Sequence, residues 1–251
     1  MSGHSKWSQI KRQKGVTDAR RGQAFTKLTR EIMVAACDGG SDPDTNYRLR
    51  LAVQKAKDQN MPTENIERAI KRTAGKGEGT TLSEIVFEGY GPGGVGLLLE
   101  TLTDNRNRTL QELRSTLTRG GGSLGTAGCV AWLFETLGLI IVSASGGNAE
   151  ELALLAIDAG AEDVRIEREY LEIHTKLDEL VKVRQWLEDK GLSITSAEIS
   201  RVPKTTVELD EATTLQVLKL IERLEALDDV QRVFSNVDLP YSVLEKYQFQ
   251  A

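Results

Sequence analysis

Ile85-Val86-Phe87-Glu88-Gly89-Tyr90-Gly91-Pro92-Gly93-Gly94-Val95-Gly96-Leu97-Leu98-Leu99-Glu100-Thr101-Leu102 is the stretch on which the fold turns. Two apolar runs of strand character flank a Gly-Pro-Gly-Gly cluster, the signature of a β-hairpin. Gly91, Gly93 and Gly96 also satisfy G-x-G-x-x-G. That dinucleotide fingerprint requires a helix directly after the glycines, so that its N-terminal amides meet a pyrophosphate. Here Val95 to Glu100 continues as strand, and a Rossmann domain is excluded.

Upstream of the hairpin the apolar period is helical. Phe25, Leu28, Ile32 and Ala35/Ala36 mark an amphipathic helix that Asp18 is placed to start and Gly39-Gly40 to end. A second helix is expected to open at Asp42-Pro43, because Pro is tolerated at the first helical position, and to run through Leu49, Ala52 and Ala56. A third begins near Thr63 with Ile66, Ala69 and Ile70 inward, and Gly75-Lys76-Gly77-Glu78-Gly79 follows as a linker.

Downstream, a helix is expected from about Asn107 to Arg119, then a mobile glycine-rich connector from Gly120 to Gly128. A second hairpin is read around Val130–Phe134 and Leu139–Val142. Helix 148–159, strands near 163–168 and 170–175, helix 177–190 and strand 193–201 follow. The remaining helix 211–226 and strand 230–235 are too short for a core of their own. Their natural place is in the first ββα unit. The expected class is therefore α+β multidomain: an N-terminal three-helix domain followed by two α+β, ferredoxin-like domains, one of them discontinuous. The boundaries read as 1–77 for a basic helical nucleic-acid-binding domain, 80–129 plus 203–240 for the discontinuous domain, and 130–202 for the inserted one.

Charge is distributed unevenly along the 251 residues, whose formal net charge is -5. Residues 1–76 carry 16 Lys and Arg against 8 Asp and Glu, and the rest carry 16 against 29, a net +8 followed by a net -13. A polyanion senses the local patch, because charges beyond a Debye length of roughly 8 Å are screened. Lys6, Lys11, Arg12, Lys14, Arg20, Arg21, Lys27 and Arg30 form the densest part, and Arg20, Gln23, Lys27 and Arg30 recur at spacings of three, four and three, which puts them on one helix face. Trp7, within the cations, is a candidate for stacking on an exposed base. Arg68, Lys71 and Arg72 widen the patch. Arg106 and Arg108, where a strand meets a helix N-terminus, are a further candidate, since backbone amides there favour anions; capping by Asp104, Asn105 or Asn107 is the competing account. If Lys6, Lys11, Arg12, Lys14, Arg20, Arg21, Lys27, Arg30 and Arg72 each neutralised a phosphate, the salt slope on duplex DNA would approach about -8.

Other classes find little support. Cys37, Cys129, His4 and His174 have no metal-ligand spacing, so no metal or other cofactor is expected. His174 alternates with Leu171 and Ile173 as a structural strand residue does, Cys129 reads as packed, and no nucleophile stands near a base, so no enzymatic role is expected. Gly120 to Gly128 lacks the Lys-Ser/Thr of a Walker loop. Asp228-Asp229 and Glu150-Glu151 read as solvated helix-end charges. No apolar run reaches membrane-spanning length and the basic start has no secretory apolar core, so a cytoplasmic protein without membrane contact is expected.

Gly3-His4-Ser5-Lys6-Trp7, Ile10-Lys11, Arg21-Gly22, Phe25-Thr26-Lys27-Leu28 and Arg30-Glu31-Ile32 resemble the opening signature of the YebC family. The resemblance continues through Arg48-Leu49-Arg50-Leu51-Ala52, Asn60-Met61-Pro62, Asn65-Ile66-Glu67-Arg68, Glu88-Gly89-Tyr90-Gly91-Pro92-Gly93-Gly94, Thr103-Asp104-Asn105-Arg106-Asn107-Arg108-Thr109 and Leu227-Asp228-Asp229-Val230-Gln231. It departs locally at Cys129, where serine is commoner, and at Arg119-Gly120. The family joins bacterial regulators with a mitochondrial translational activator of cytochrome c oxidase. The resemblance implies a helical domain followed by two α+β domains, and a non-enzymatic regulator of gene expression that binds DNA. The alternative it implies is a ribosome-associated translation factor that binds ribosomal RNA and relieves stalling at proline runs. A third reading from charge alone is an adaptor whose acidic domains bind a basic protein. A monomer is expected.

Overall fold

The computed structural model describes residues 6–7, 18–74, 82–144 and 148–250; the side chains of 18–20, 73, 74 and 248–250 fall outside that description. The chain divides into two compact units, Met1–Phe134 with Pro203–Ala251, and Glu135–Val202.

In the first unit, helices α1 (Asp18–Gly39), α2 (Tyr47–Asp58) and α3 (Thr63–Ala74) enclose a core of Leu28, Ile32, Ala35, Leu49, Ala52, Ala56, Met61, Ile66 and Ala69. The second helix begins later than Asp42-Pro43. Asn46, 5% exposed, caps it by accepting the Leu49 N–H at 3.0 Å. Its amide nitrogen also donates to the carbonyls of Ala35 (2.7 Å) and Gly40 (2.8 Å), so one side chain closes α1 and opens α2. Residues 42–45 are spent on the turn between them.

The hairpin forms as β1 (Ser83–Tyr90) and β2 (Gly96–Thr103), with Phe87 opposite Leu99 and Gly93 at φ +70° in the turn. Helix α4 (Arg106–Arg119) and the short β3 (Ser123–Leu124) follow, and after the second unit come α7 (Glu211–Glu225) and β8 (Val230–Ser235). The sheet order is β3-β1-β2-β8, all antiparallel. The last helix–strand pair therefore completes the sheet that the hairpin starts, and the domain is discontinuous. One sheet face carries Phe87, Leu97, Leu99 and Val233 against Leu113 and Leu117 of α4 and Val217, Leu218, Ile221 and Leu224 of α7. On the other face Leu98 and Phe234 pack with Val130 and Phe134. At about 1.5–3 kcal/mol per buried large apolar side chain, these two layers dominate the stability of the unit.

The second unit runs β4 (Phe134–Ser143), α5 (Ala149–Asp158), β5 (Asp163–Ile166), β6 (Tyr170–Thr175), α6 (Leu180–Asp189) and β7 (Ile194–Pro203), in sheet order β5-β6-β4-β7. This is the βαββαβ ferredoxin-like arrangement. The expected second hairpin is absent: Ala131–Leu133 is a 3₁₀ turn and 134–143 is one strand. Gly138 is not a turn residue but lies within β4, where a Cβ would come within 3.0 Å of the Leu180 Cβ. His174 and Glu172 are both 2% exposed, and the imidazole Nε2 lies 2.7 Å from the Glu172 carboxylate.

Two further features differ from the sequence reading. Helix α8 (Tyr241–Gln250) was not anticipated, although Val243, Leu244 and Tyr247 have helical spacing and are buried. The Gly120–Gly128 segment is not a free connector. The Glu88 carboxylate, 7% exposed, accepts the backbone N–H of Gly128 (2.6 Å), Val130 (2.7 Å) and Ala131 (2.8 Å), and its carbonyl accepts that of Gly125 (2.8 Å). Burial raises the Glu88 pKa, but the three donors outweigh it and hold the carboxyl below its usual range. Replacing Glu88 by Ala strands three donors, so Glu88→Ala is expected to lose about 3 kcal/mol in urea denaturation, and Glu88→Gln less.

Candidate nucleic-acid interface

The cations expected to face a polyanion fall into two groups. The first group faces the protein itself. Helix α7 ends at Glu225, where unpaired carbonyls and the negative end of the macrodipole accumulate. The polar face of α1 supplies the missing donors: Lys27 Nζ to the Glu225 carbonyl (2.6 Å), Gln23 Nε2 to that of Ala226 (2.6 Å), and Arg30 to that of Asp228 (2.6 Å). The shared face at positions 23, 27 and 30 is thus a helix cap made in trans along the chain.

Trp7 and Lys6 are likewise turned inward. Trp7 is 3% exposed; its indole N–H donates to Glu225 Oε2 at 3.1 Å and its ring meets Tyr247 edge-on at 5.6 Å. Stacking of Trp7 on a nucleobase is therefore replaced by packing against α7 and α8. Lys6, also 3% exposed, reaches the Leu239 carbonyl at 3.5 Å and lies 4.7 Å from the centre of the Tyr241 ring. These four residues, Lys6, Trp7, Lys27 and Arg30, do not form an open phosphate surface.

Asp229, read as a solvated charge, is 3% exposed and is the residue sequence reasoning missed most completely. Its Oδ1 accepts from Arg30 (3.1 Å); its Oδ2 accepts from Arg108 (2.8 Å), Thr109 (2.7 Å) and Thr103 (3.1 Å). Arg108 also pairs with Asp104 at 2.8 Å, and both carboxylates raise its pKa, with Asp229 the stronger. Asn105 caps α4 by accepting the Arg108 N–H at 3.1 Å. The start of α4 is thus capped by Asn105 and its Arg108 side chain is held by the protein's own carboxylates, while Arg106 stays exposed. Burial raises the Asp229 pKa, but the bonds from Arg108, Thr109 and Thr103 outweigh it and hold the carboxyl below its usual range.

The second group of cations faces water. Arg21 is exposed on α1. On α3, Arg68 pairs with Glu64 (2.7 Å) and Lys71 with Glu67 (3.5 Å), all four side chains being 57% or more exposed. Such solvated i,i+4 pairs are weak, so a phosphate can displace the carboxylates. With Arg72 these residues line a surface cavity of about 380 Å³. Arg20 lies on α1 with its side chain outside the described residues, and Lys11, Arg12 and Lys14 lie wholly outside them. Their flanks are described: Lys6-Trp7 on the α7–α8 core, and α1 from Asp18 onward.

Among the described residues no group of three or more His, Cys, Asp or Glu is arranged to hold a metal, and no helix is long and apolar enough to cross a membrane.

This organisation, a three-helix domain followed by two α+β domains of which one is split, defines a multidomain α+β class. The sequence matches the TACO1/YebC protein N-terminal domain over residues 5–76 and the TACO1/YebC second and third domain over 82–237, and the chain belongs to the TACO1/YebC family. It is 57% identical to a protein of Dehalococcoides mccartyi named a probable transcriptional regulatory protein, over 100% of both chains. A protein of Roseiflexus castenholzii with the same name is 52% identical, over 98% of this chain and 99% of that one. The crystal structure of a conserved hypothetical protein from Aquifex aeolicus superposes with a TM-score of 0.82 at 49% identity, covering 89% of this chain and 92% of that one.

Two outcomes test the division of the cations. Arg30→Gln is expected to lower the melting temperature by several degrees, as the loss of about 1 kcal/mol does in a protein of this size, whereas Arg21→Gln leaves it unchanged. Asp229→Asn is expected to cost about 2 kcal/mol at pH 7 in urea denaturation, since it leaves Arg30 and Arg108 without their shared anion. Because the folded pKa lies below the unfolded value of about 3.9, the contribution is complete above that pH and fades as pH falls through the folded pKa. The gap between wild type and Asp229→Asn therefore narrows below about pH 4.

Proposed function

We propose that this protein is a non-enzymatic regulator of gene expression that binds nucleic acid through Lys11, Arg12, Lys14, Arg20 and Arg21, widened by Arg68, Lys71 and Arg72 and, beyond the helical domain, Arg106. The observation that carries the proposal is the charge division, net +8 in residues 1–76 against net -13 in the remainder. The names of the Dehalococcoides and Roseiflexus relatives, both probable transcriptional regulatory proteins, support a regulatory role in transcription. Binding is electrostatic and of low sequence selectivity, since no helix is set out as a base-reading element.

The inward turn of Lys6, Lys27 and Arg30 lowers the number of phosphate contacts available. Of the nine cations first counted, six remain and give a slope of log K against log salt on duplex DNA of about -5, which Arg68, Lys71 and Arg106 steepen toward about -8 as they too reach phosphates. Titration of the full-length protein with duplex DNA at several salt concentrations reads this directly: a slope between about -5 and about -8 is expected, and a slope near zero overturns the proposal. The triple charge reversal of Lys11, Arg12 and Lys14 to Glu is expected to weaken binding at least a hundredfold. Sequencing of nucleic acid crosslinked to the protein in cells then separates promoter DNA from ribosomal RNA, and recovery of neither supports a protein adaptor.

A further inference from the structure

Among the described residues no large hydrophobic side chain is more exposed than Trp132, at 67%. An exposed indole ordinarily turns freely, but this one is held. Its Nε1–H donates to the Cys129 carbonyl at 3.0 Å, and the Tyr90 hydroxyl donates to the same oxygen at 3.1 Å. A carbonyl oxygen has two lone pairs, so one acceptor serves both. The acceptor is itself fixed, because the Glu88 carboxylate grips the amides of Gly128, Val130 and Ala131 on either side of Cys129. Two aromatic rings, one of them 38% exposed and the other 67%, are thus tied by their polar edges to one rigid turn. Burial, then the neighbouring Cys129 and Glu88, push the Tyr90 pKa up, which keeps its hydroxyl a donor.

Neither ring is needed to fill the core beneath, which Val130, Phe134, Leu98 and Phe234 already form. The carboxylate that reaches this turn, that of Glu88, is taken up by the three backbone amides. The exposed Lys204 donates its backbone N–H to the carbonyl of Leu133, the residue after Trp132, at 2.8 Å. Two exposed aromatic planes held by their edges, with an exposed lysine joined to the residue after one of them, describe a surface for single-stranded nucleic acid. Every base has a π-face to stack, every phosphate seeks a cation, and a duplex hides its base faces.

We propose that Tyr90 and Trp132 form a stacking platform for unpaired nucleobases, with Lys204 placed for the adjoining phosphate. The proposal rests on the nucleic-acid reading above but uses a separate set of residues and a separate force. Phosphate contacts weaken with salt, whereas base stacking does not depend on counterion release.

Full-length protein titrated with a single-stranded oligonucleotide of about twelve nucleotides, and with the matching duplex, tests it. Trp132→Ala is expected to weaken single-strand binding about tenfold with an unchanged salt slope, and to leave duplex binding as it was. Trp132→Phe, which keeps a ring, is expected to retain most of the affinity. A second reading does not depend on the Ala variant folding: in Trp186→Phe protein, saturating single strand is expected to quench the emission of Trp132, since the remaining indole, Trp7, is buried. Equal single-strand binding by Trp132→Ala and wild type, or absence of quenching, overturns the platform. If the Lys11/Arg12/Lys14 reversal still abolishes binding in that case, the basic surface stands alone; if wild type binds neither nucleic acid, both proposals fall.

Discussion

The carboxylate of Asp229 sits where the helical domain, the end of β2 and the start of α4 converge, and each of those parts is fixed by a bond to it. A charge with 3% exposure must be paired at every turn, because an unpaired one in a low-dielectric interior is far costlier than the pairing is worth. Arg30 takes one oxygen; Arg108, Thr109 and Thr103 share the other. Moving the helical domain away strips Arg30, and shifting α4 strips Arg108 and Thr109. One side chain thus makes two domain placements mutually dependent. Arg232–Glu31 at 3.0 Å and the Arg48–Glu84 pair repeat the link farther along the sheet, in more solvated surroundings where each contributes less.

Glu88 plays the corresponding part on the opposite end of the sheet, with backbone amides in place of arginines. The backbone amides gathered by Glu88 in a glycine-rich loop make a position that an external anion would otherwise favour, and the protein closes it with its own side chain. Elsewhere the described cations of α3 and Arg21 of α1 stand in water, as do the outward-held rings of Tyr90 and Trp132.

Much of the architecture was legible before the structure. Phe25, Leu28 and Ile32 at helical spacing, the Gly91–Gly94 turn between two apolar runs, and the orphaned final helix–strand pair each depend on local periodicity or turn chemistry, and these are properties a linear sequence carries. The bounds of β8 agree to the residue, and the rejection of a dinucleotide fold stands because β2 follows the glycines. The site was less legible. Arg20, Lys27 and Arg30 were rightly placed on one helix, but which way a polar face points is decided by what packs there, and the acceptors at Glu225, Ala226 and Asp228 lie about two hundred positions away. Asp229 looked like any charge after a helix, since burial leaves no mark on the residue that is buried. Val243, Leu244 and Tyr247 did carry a helical signal, and α8 was within reach of the same reasoning.

Trp7 is held by Glu225 and Tyr247, residues separated from it by almost the entire chain. Synthesis runs from the N-terminus, so the socket for Trp7 does not exist until the last helix has emerged. The three N-terminal helices have a core of their own, but Trp7 is seated only once α8 is in place. A truncated product without α8 would therefore carry Trp7 without its Tyr247 partner, and the seating of residues 6 and 7 depends on an element about 240 positions away.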